Sequence, residues 1–169
     1  MRPGAARAVV LGLVLLSVAA ASQFRPSGYT TIALAREDGT TILRVIAKDG
    51  ERVTLTWRNS LFGLLVTEVF TAQSGFLVQD QVTFAPADGS VPPRVPAAAV
   101  DDLYHTGGAF DASGLARPFA QIVYRIGEVG DPKLEIKGRT IALQQEAGFG
   151  GRLVLAAGRP ALYELAFAR

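Results

Sequence analysis

From Thr30 onward the chain is a succession of short β-branched and aromatic runs cut by turn dipeptides, and this rhythm limits its fold more than any other feature. Val53-Thr54-Leu55-Thr56-Trp57 alternates strictly between apolar and polar residues, and Lys133-Leu134-Glu135-Ile136-Lys137 does the same. That is the period of a strand with one wet face. Further runs of this kind are Thr30–Arg36, Thr41–Lys48, Leu64–Thr71, Phe76–Phe84, Phe119–Ile126, Thr140–Leu143, Arg152–Ala156 and Ala161–Phe167. Turn chemistry separates them, with Asp-Gly at 38–39 and 49–50 the strongest hairpin signals and "QSG" and "KGR" the next. No segment between these turns carries a helical period. About ten short strands so spaced predict an all-β fold, an antiparallel β-sandwich or partly closed barrel. A parallel α/β sheet would need crossover helices, for which there is no room.

One stretch breaks the rhythm. Residues 85–118, "APADGSVPPRVPAAAVDDLYHTGGAFDASGLARP", hold five prolines and several glycines. A connection of this length inside a compact domain tends to be functional or mobile. Pro96 followed by "AAAVDDLY" predicts at most one short helix within it, since proline is tolerated in a first helical turn.

The first 21 residues read differently from the rest. Arg2 and Arg7 precede an apolar stretch of 14 residues, Ala8 to Ala21, and Ala19 and Ala21 supply a small-x-small cleavage pattern before Ser22. As a helix that stretch reaches about 21 Å, short of the roughly 30 Å hydrocarbon core of a bilayer. We therefore expect a signal peptide over 1–21, an uncleaved anchor being the alternative, then a linker over 22–28 and one domain over 29–169. At 169 residues one domain has length enough for a proper core. An exported, periplasmic or otherwise extracytoplasmic location follows, with membrane contact only through an N-terminus left in place.

Without Arg2 and Arg7 the chain holds 15 basic and 15 acidic residues, and no Lys/Arg stripe. Nucleic acid is thus a poor partner. Cysteine is absent, so neither a disulfide nor a lipoprotein anchor is available, and stability must come from an apolar core.

The most informative stretch is "LTWRNSLFGLLVTEVF", Leu55 to Phe70, in which a buried-looking run carries Arg58, Asn59, Ser60 and then Glu68. In a regular strand Leu64, Val66, Glu68 and Phe70 share one face. The next strand repeats the pattern, with Asp80 between Phe76, Val78, Val82 and Phe84. A carboxylate buried alone costs several kcal/mol, so each should find a partner, with Arg58, Arg125, His105, Asn59 and Ser60 the available donors. Either bulges turn these acids outward or the acids guard an exposed strand edge. In the sharper reading Asn59, Ser60 and Glu68 form a polar pocket for a small ligand or for the long loop. The candidate binding residues are therefore Asn59, Ser60, Glu68, Asp80 and His105.

Catalysis is poorly supplied. His105 is the only histidine, and no Gly-x-Ser-x-Gly elbow accompanies Ser60, so an envelope hydrolase is the weakest class. Asp101-Asp102 lacks the calcium-loop pattern, and one His without Cys leaves a transition metal almost wholly to carboxylates. "GFGG" at 148–151 lacks the lysine and strand-helix context of a phosphate loop. We expect no catalytic residue, metal or cofactor.

The stretch "TLTWRNSLFGLLVTEVFTAQSGFLVQDQVTF" resembles the opening of the DUF1850 family of small exported bacterial proteins. That family shows a strand ending in aromatic-x-His-Ser, then Val-x-Glu, then a second strand after a glycine turn. Trp57, Asn59, Ser60, Val66 and Glu68 stand at the matching positions. "IVYRIGEVGDPKLEIKGRTIAL" is similar to the family's closing part, so the likeness spans Gly50 to Leu143. Asn59 replaces the usual His, and "FAPADGSVPP" stands where a Gly-Ala-Gly turn is common. The family is not known for a reaction, and its members are often encoded beside TAXI-type TRAP transporters. The resemblance thus implies an extracytoplasmic accessory role, with a membrane transporter subunit or a solute-binding protein as partner. The first expectation is a non-catalytic interaction module, its surface combining Asp101–Phe110 with Asn59, Ser60 and Glu68. A small-ligand module in which Glu68 and Asp80 face a cavity is the rival.

Overall fold

The computed structural model describes residues 28–166. The expected signal segment, with Ala19, Ala21 and Ser22, and nearly all of the expected linker lie outside the described residues. Ten strands form two antiparallel sheets: β1 (Tyr29–Arg36), β2 (Thr41–Lys48), β3 (Arg52–Arg58), β4 (Leu65–Gln73), β5 (Phe76–Ala85), β6 (Phe110–Phe119), β7 (Gln121–Arg125), β8 (Lys133–Ile136), β9 (Arg139–Ala142) and β10 (Arg152–Gly158). One sheet runs β2-β1-β10-β7 and the other β6-β5-β4-β3-β8-β9. The edges are therefore β2 and β7 in the first, β6 and β9 in the second. This is a sandwich and not a closed barrel.

Local chemistry explains the hairpins. At the β4–β5 turn Gln73 pairs with Phe76, and Ser74 and Gly75 both take positive φ, at 53° and 87°. Two such residues in a two-residue loop match the twist of the strands they join. Thr30 Oγ1 accepts the Gly75 N–H at 3.0 Å, which ties this turn to β1 of the facing sheet.

The long connection is shorter than the sequence suggested. β6 occupies its last third, because Phe110, Ala112 and Leu115 bury against β5 while proline and glycine are accommodated at an edge and at an irregularity. What remains holds a helix of ten residues, a 3-10 turn over Ala97–Ala99 running into α1 (Val100–Thr106). Pro93 to Val95 lies along the start of β6, with Asp111 N–H donating to the Pro93 carbonyl and Val95 N–H to the Asp111 carbonyl, both at 2.9 Å. Two five-residue helices stand outside that connection, α2 (Leu143–Ala147) and α3 (Leu162–Ala166). The second corrects the strand expected over Ala161–Phe167. It follows Pro160, and the Glu164 carboxylate accepts the Ala161 N–H at 2.8 Å, so the end of the run is capped as a helix.

The inner face of the six-stranded sheet is covered twice. The four-stranded sheet packs Ile32, Leu34, Leu153 and Leu155 against Val53, Leu55, Phe70, Leu134 and Ile136. Beyond it, α1 seats Val100 on Val66, Val82, Phe84 and Phe110, with Phe84 and Phe110 stacked 4.7 Å apart. Each fully buried side chain of this kind stabilises by about 1.5–3 kcal/mol. Trp57 borders both clusters, and the seam between them holds the polar groups.

Candidate functional site

β4 places Glu68 on the inner face, between Val66 and Phe70, as its alternation predicts. Leu55 lies opposite it on β3 and Val82 on β5. The carboxylate is at the seam between the two apolar clusters. Its Oε1 accepts from Gln79 Nε2 at 2.9 Å and from the Tyr104 hydroxyl at 3.1 Å. Burial raises the Glu68 pKa, offset in part by hydrogen bonds from Tyr104, Trp57 and Gln79. Tyr104 is pushed well above the usual phenol range by its own burial and by the neighbouring carboxylate.

The expected donors to Glu68 are replaced by two residues that the pattern reading missed. Gln79 is buried at 5% exposure and occupies the inner face of β5 because Leu77 and Gln79 share one parity while Val82 and Phe84 share the other. The change of parity comes from an irregularity at Asp80: Phe70 pairs with Gln79, but Val69 pairs with Gln81. A bulge of this kind moves every later side chain to the opposite face. Tyr104 comes from α1, four residues after Val100, and so lies on the helix face that meets the sheet.

Asp80 thereby leaves the interior, and its carboxylate accepts from the Thr71 hydroxyl. It does not face a cavity together with Glu68, which corrects the arrangement expected for a ligand module. The outward turn expected of a bulge holds for Asp80 and not for Glu68.

Asn59 builds the β3–β4 turn. Its Oδ1 accepts the N–H groups of Leu61 at 2.9 Å and Phe62 at 3.0 Å, and its carbonyl accepts Gly63 N–H at 2.8 Å. An asparagine side chain used this way mimics a backbone turn, so its amide oxygen is committed to structure. Ser60 is exposed at the tip of that turn, and His105 is exposed on the last turn of α1. The turn and the helix meet: a Cβ built on Gly107 would fall 2.4 Å from the Phe62 ring, so the ring lies directly on the glycine. Asn59, Ser60, Glu68 and the helix of His105 are thus gathered at one end of the molecule, and Asp80 is not.

Beside this end, β3 and β7 enclose a cleft of about 300 Å³ whose walls include Trp57, Arg58, Ser60, Tyr124 and Arg125. The Tyr124 hydroxyl is buried and has no hydrogen-bond partner among the described residues, and burial together with the Glu68 charge raises its pKa. A larger groove of about 560 Å³ lies between β2 and the β8–β9 hairpin. Its charges are largely spent on the fold: Arg44 pairs with Glu164, and Lys137 pairs with Glu51 and donates to the Ile46 carbonyl at 2.9 Å. Among the described residues no three His, Cys, Asp or Glu side chains converge to hold a metal ion. No helix among them is long and apolar enough to cross a membrane.

Comparison with protein-family models, with curated proteins and with solved structures finds no match to this chain.

Proposed function

We propose that this chain is an exported, non-catalytic accessory module that docks a protein partner on the surface formed by the β3–β4 turn and α1. The observation that carries this reading is the seating of Phe62 on Gly107. It brings the turn against the helix, and there Leu61 is 83% exposed, Phe62 48% and Tyr104 37%. Large exposed apolar side chains gathered at one place mark an interaction surface. Aromatic anchors of this type carry binding energy when a partner desolvates them. The signal-like N-terminus supports export, and the likeness to the DUF1850 family supports a component of a TAXI-type TRAP transporter as the partner. The hydrolase alternative has Ser60 and His105 on separate elements, both in solvent.

The test is affinity recovery of the tagged protein from detergent-solubilised membranes, followed by identification of what accompanies it. Recovery of a transport component that is lost in Leu61→Asp supports the reading. Failure to recover one, with solute uptake unchanged when the gene is deleted, removes it.

A further inference from the structure

We propose that the cleft between β3 and β7 is a binding site for a small organic carboxylate with an apolar body. Two observations carry this, and neither depends on the docking surface. Arg58 and Arg125 are the charged residues among those lining the cleft, and both are cationic. Among the described residues only one guanidinium donor of Arg58 is engaged, NH1 with the Gly63 carbonyl at 3.0 Å, which leaves others for an anion. A guanidinium matches a carboxylate in planar, two-bond geometry.

The remainder of the wall is apolar. Leu55 and Trp57 come from β3 and Val129 from the loop between β7 and β8, which is tied to β3 by the Arg58 N–H donating to the Gly130 carbonyl at 2.8 Å. A volume near 300 Å³ is at the lower end for small-molecule sites and suits one short chain or a single ring. Tyr124, in the facing wall, adds ring surface, while its hydroxyl is buried behind that wall. The ligand class follows from the combination: one anionic end at the arginine rim, a hydrocarbon or aromatic body against Trp57.

The chain supplies its own reporter, because Trp57 is the only tryptophan. The experiment titrates the purified protein with benzoate, phenylacetate and hexanoate, and in parallel with benzamide and hexanamide as uncharged counterparts. Trp57 emission and the melting temperature are followed. The expected result is saturable change with the carboxylates, at least tenfold weaker with the amides and in Arg58→Gln/Arg125→Gln, and weakened by salt. Arg139→Gln, on the distant groove, should bind as the parent does. Equal binding of amides and carboxylates, or unchanged binding by the double variant, overturns the carboxylate assignment. No response to any probe at millimolar concentration overturns the cleft as a site. Circular dichroism of the variants separates lost binding from lost folding.

Discussion

The Tyr104 hydroxyl donates to the Glu68 carboxylate across 3.1 Å, and through that bond α1 is fastened to the middle of the six-stranded sheet. No cation sits in the hydrogen bonds Glu68 receives. They come from Gln79, Tyr104 and Trp57, all neutral. The seam therefore stores an electrostatic cost that other conditions or substitutions should release.

Glu68→Gln is expected to stabilise the protein at neutral pH by about 1–2 kcal/mol, because it removes a partly desolvated charge and keeps an acceptor for Tyr104. The sign with pH follows from the raised pKa. The native state holds its proton to higher pH than the unfolded chain, so stability is greatest below the unfolded glutamate value. It declines as pH rises through the native one. Urea unfolding across that range should show this slope in the parent and a flatter profile in Glu68→Gln.

Gly107→Ala should cost about 1–2 kcal/mol or more. The residue has φ of 77°, where a Cβ is strained, and that Cβ would also meet the Phe62 ring. Adding Phe62→Ala to Gly107→Ala should recover the part due to the ring and leave the backbone part. A double-mutant cycle by chemical denaturation separates the two.

Tyr124→Phe removes a buried hydroxyl that no group satisfies. Its stability should be equal to the parent's or higher by up to about 1 kcal/mol, against the usual direction for trimming a partly buried side chain. Thermal unfolding checks it. A loss of more than that would mean the hydroxyl has a partner in solution.

Asp80→Ala should cost about 0.5–1.5 kcal/mol through loss of the Thr71 hydrogen bond. Because Asp80 lies on the outer face, the pH slope assigned to Glu68 should persist in this variant. A flattened slope would overturn the assignment to Glu68.

Much of the fold was legible because strand alternation and turn dipeptides are local signals. Val53 to Trp57 alternate as drawn, and the Asp-Gly, Ser-Gly and Lys-Gly turns lie between the strands they were expected to join. Glu68 was legible for the same reason, since β4 is regular from Val66 to Ala72. Asp80 was not. A bulge is a property of the pairing, here with Val69 and Phe70 on one side and Ser113 and Arg117 on the other, so the parity of β5 could not be read from β5 alone. β6 was hidden by its glycine and proline, which usually mark loops and are tolerated here at an edge. The partners of Glu68 were hidden differently: Gln79 was assigned the wrong face, and the spacing of Val100 and Tyr104 had no visible apolar stripe around it. Asn59 shows the limit of reading residue type, because an amide suited to recognition is consumed by the turn it makes.

The outer rim of β6 carries one more implication. Its beginning is already bridged by Pro93 to Val95, its middle is broken at Gly114 and Ala116 with φ of 72° and 52°, and Pro118 has no N–H to offer. A second copy arriving side by side would find no straight ladder to extend, so this flank resists templating of fibres. A chain without cysteine cross-links to hold it folded gains from such a blocked rim whenever it opens.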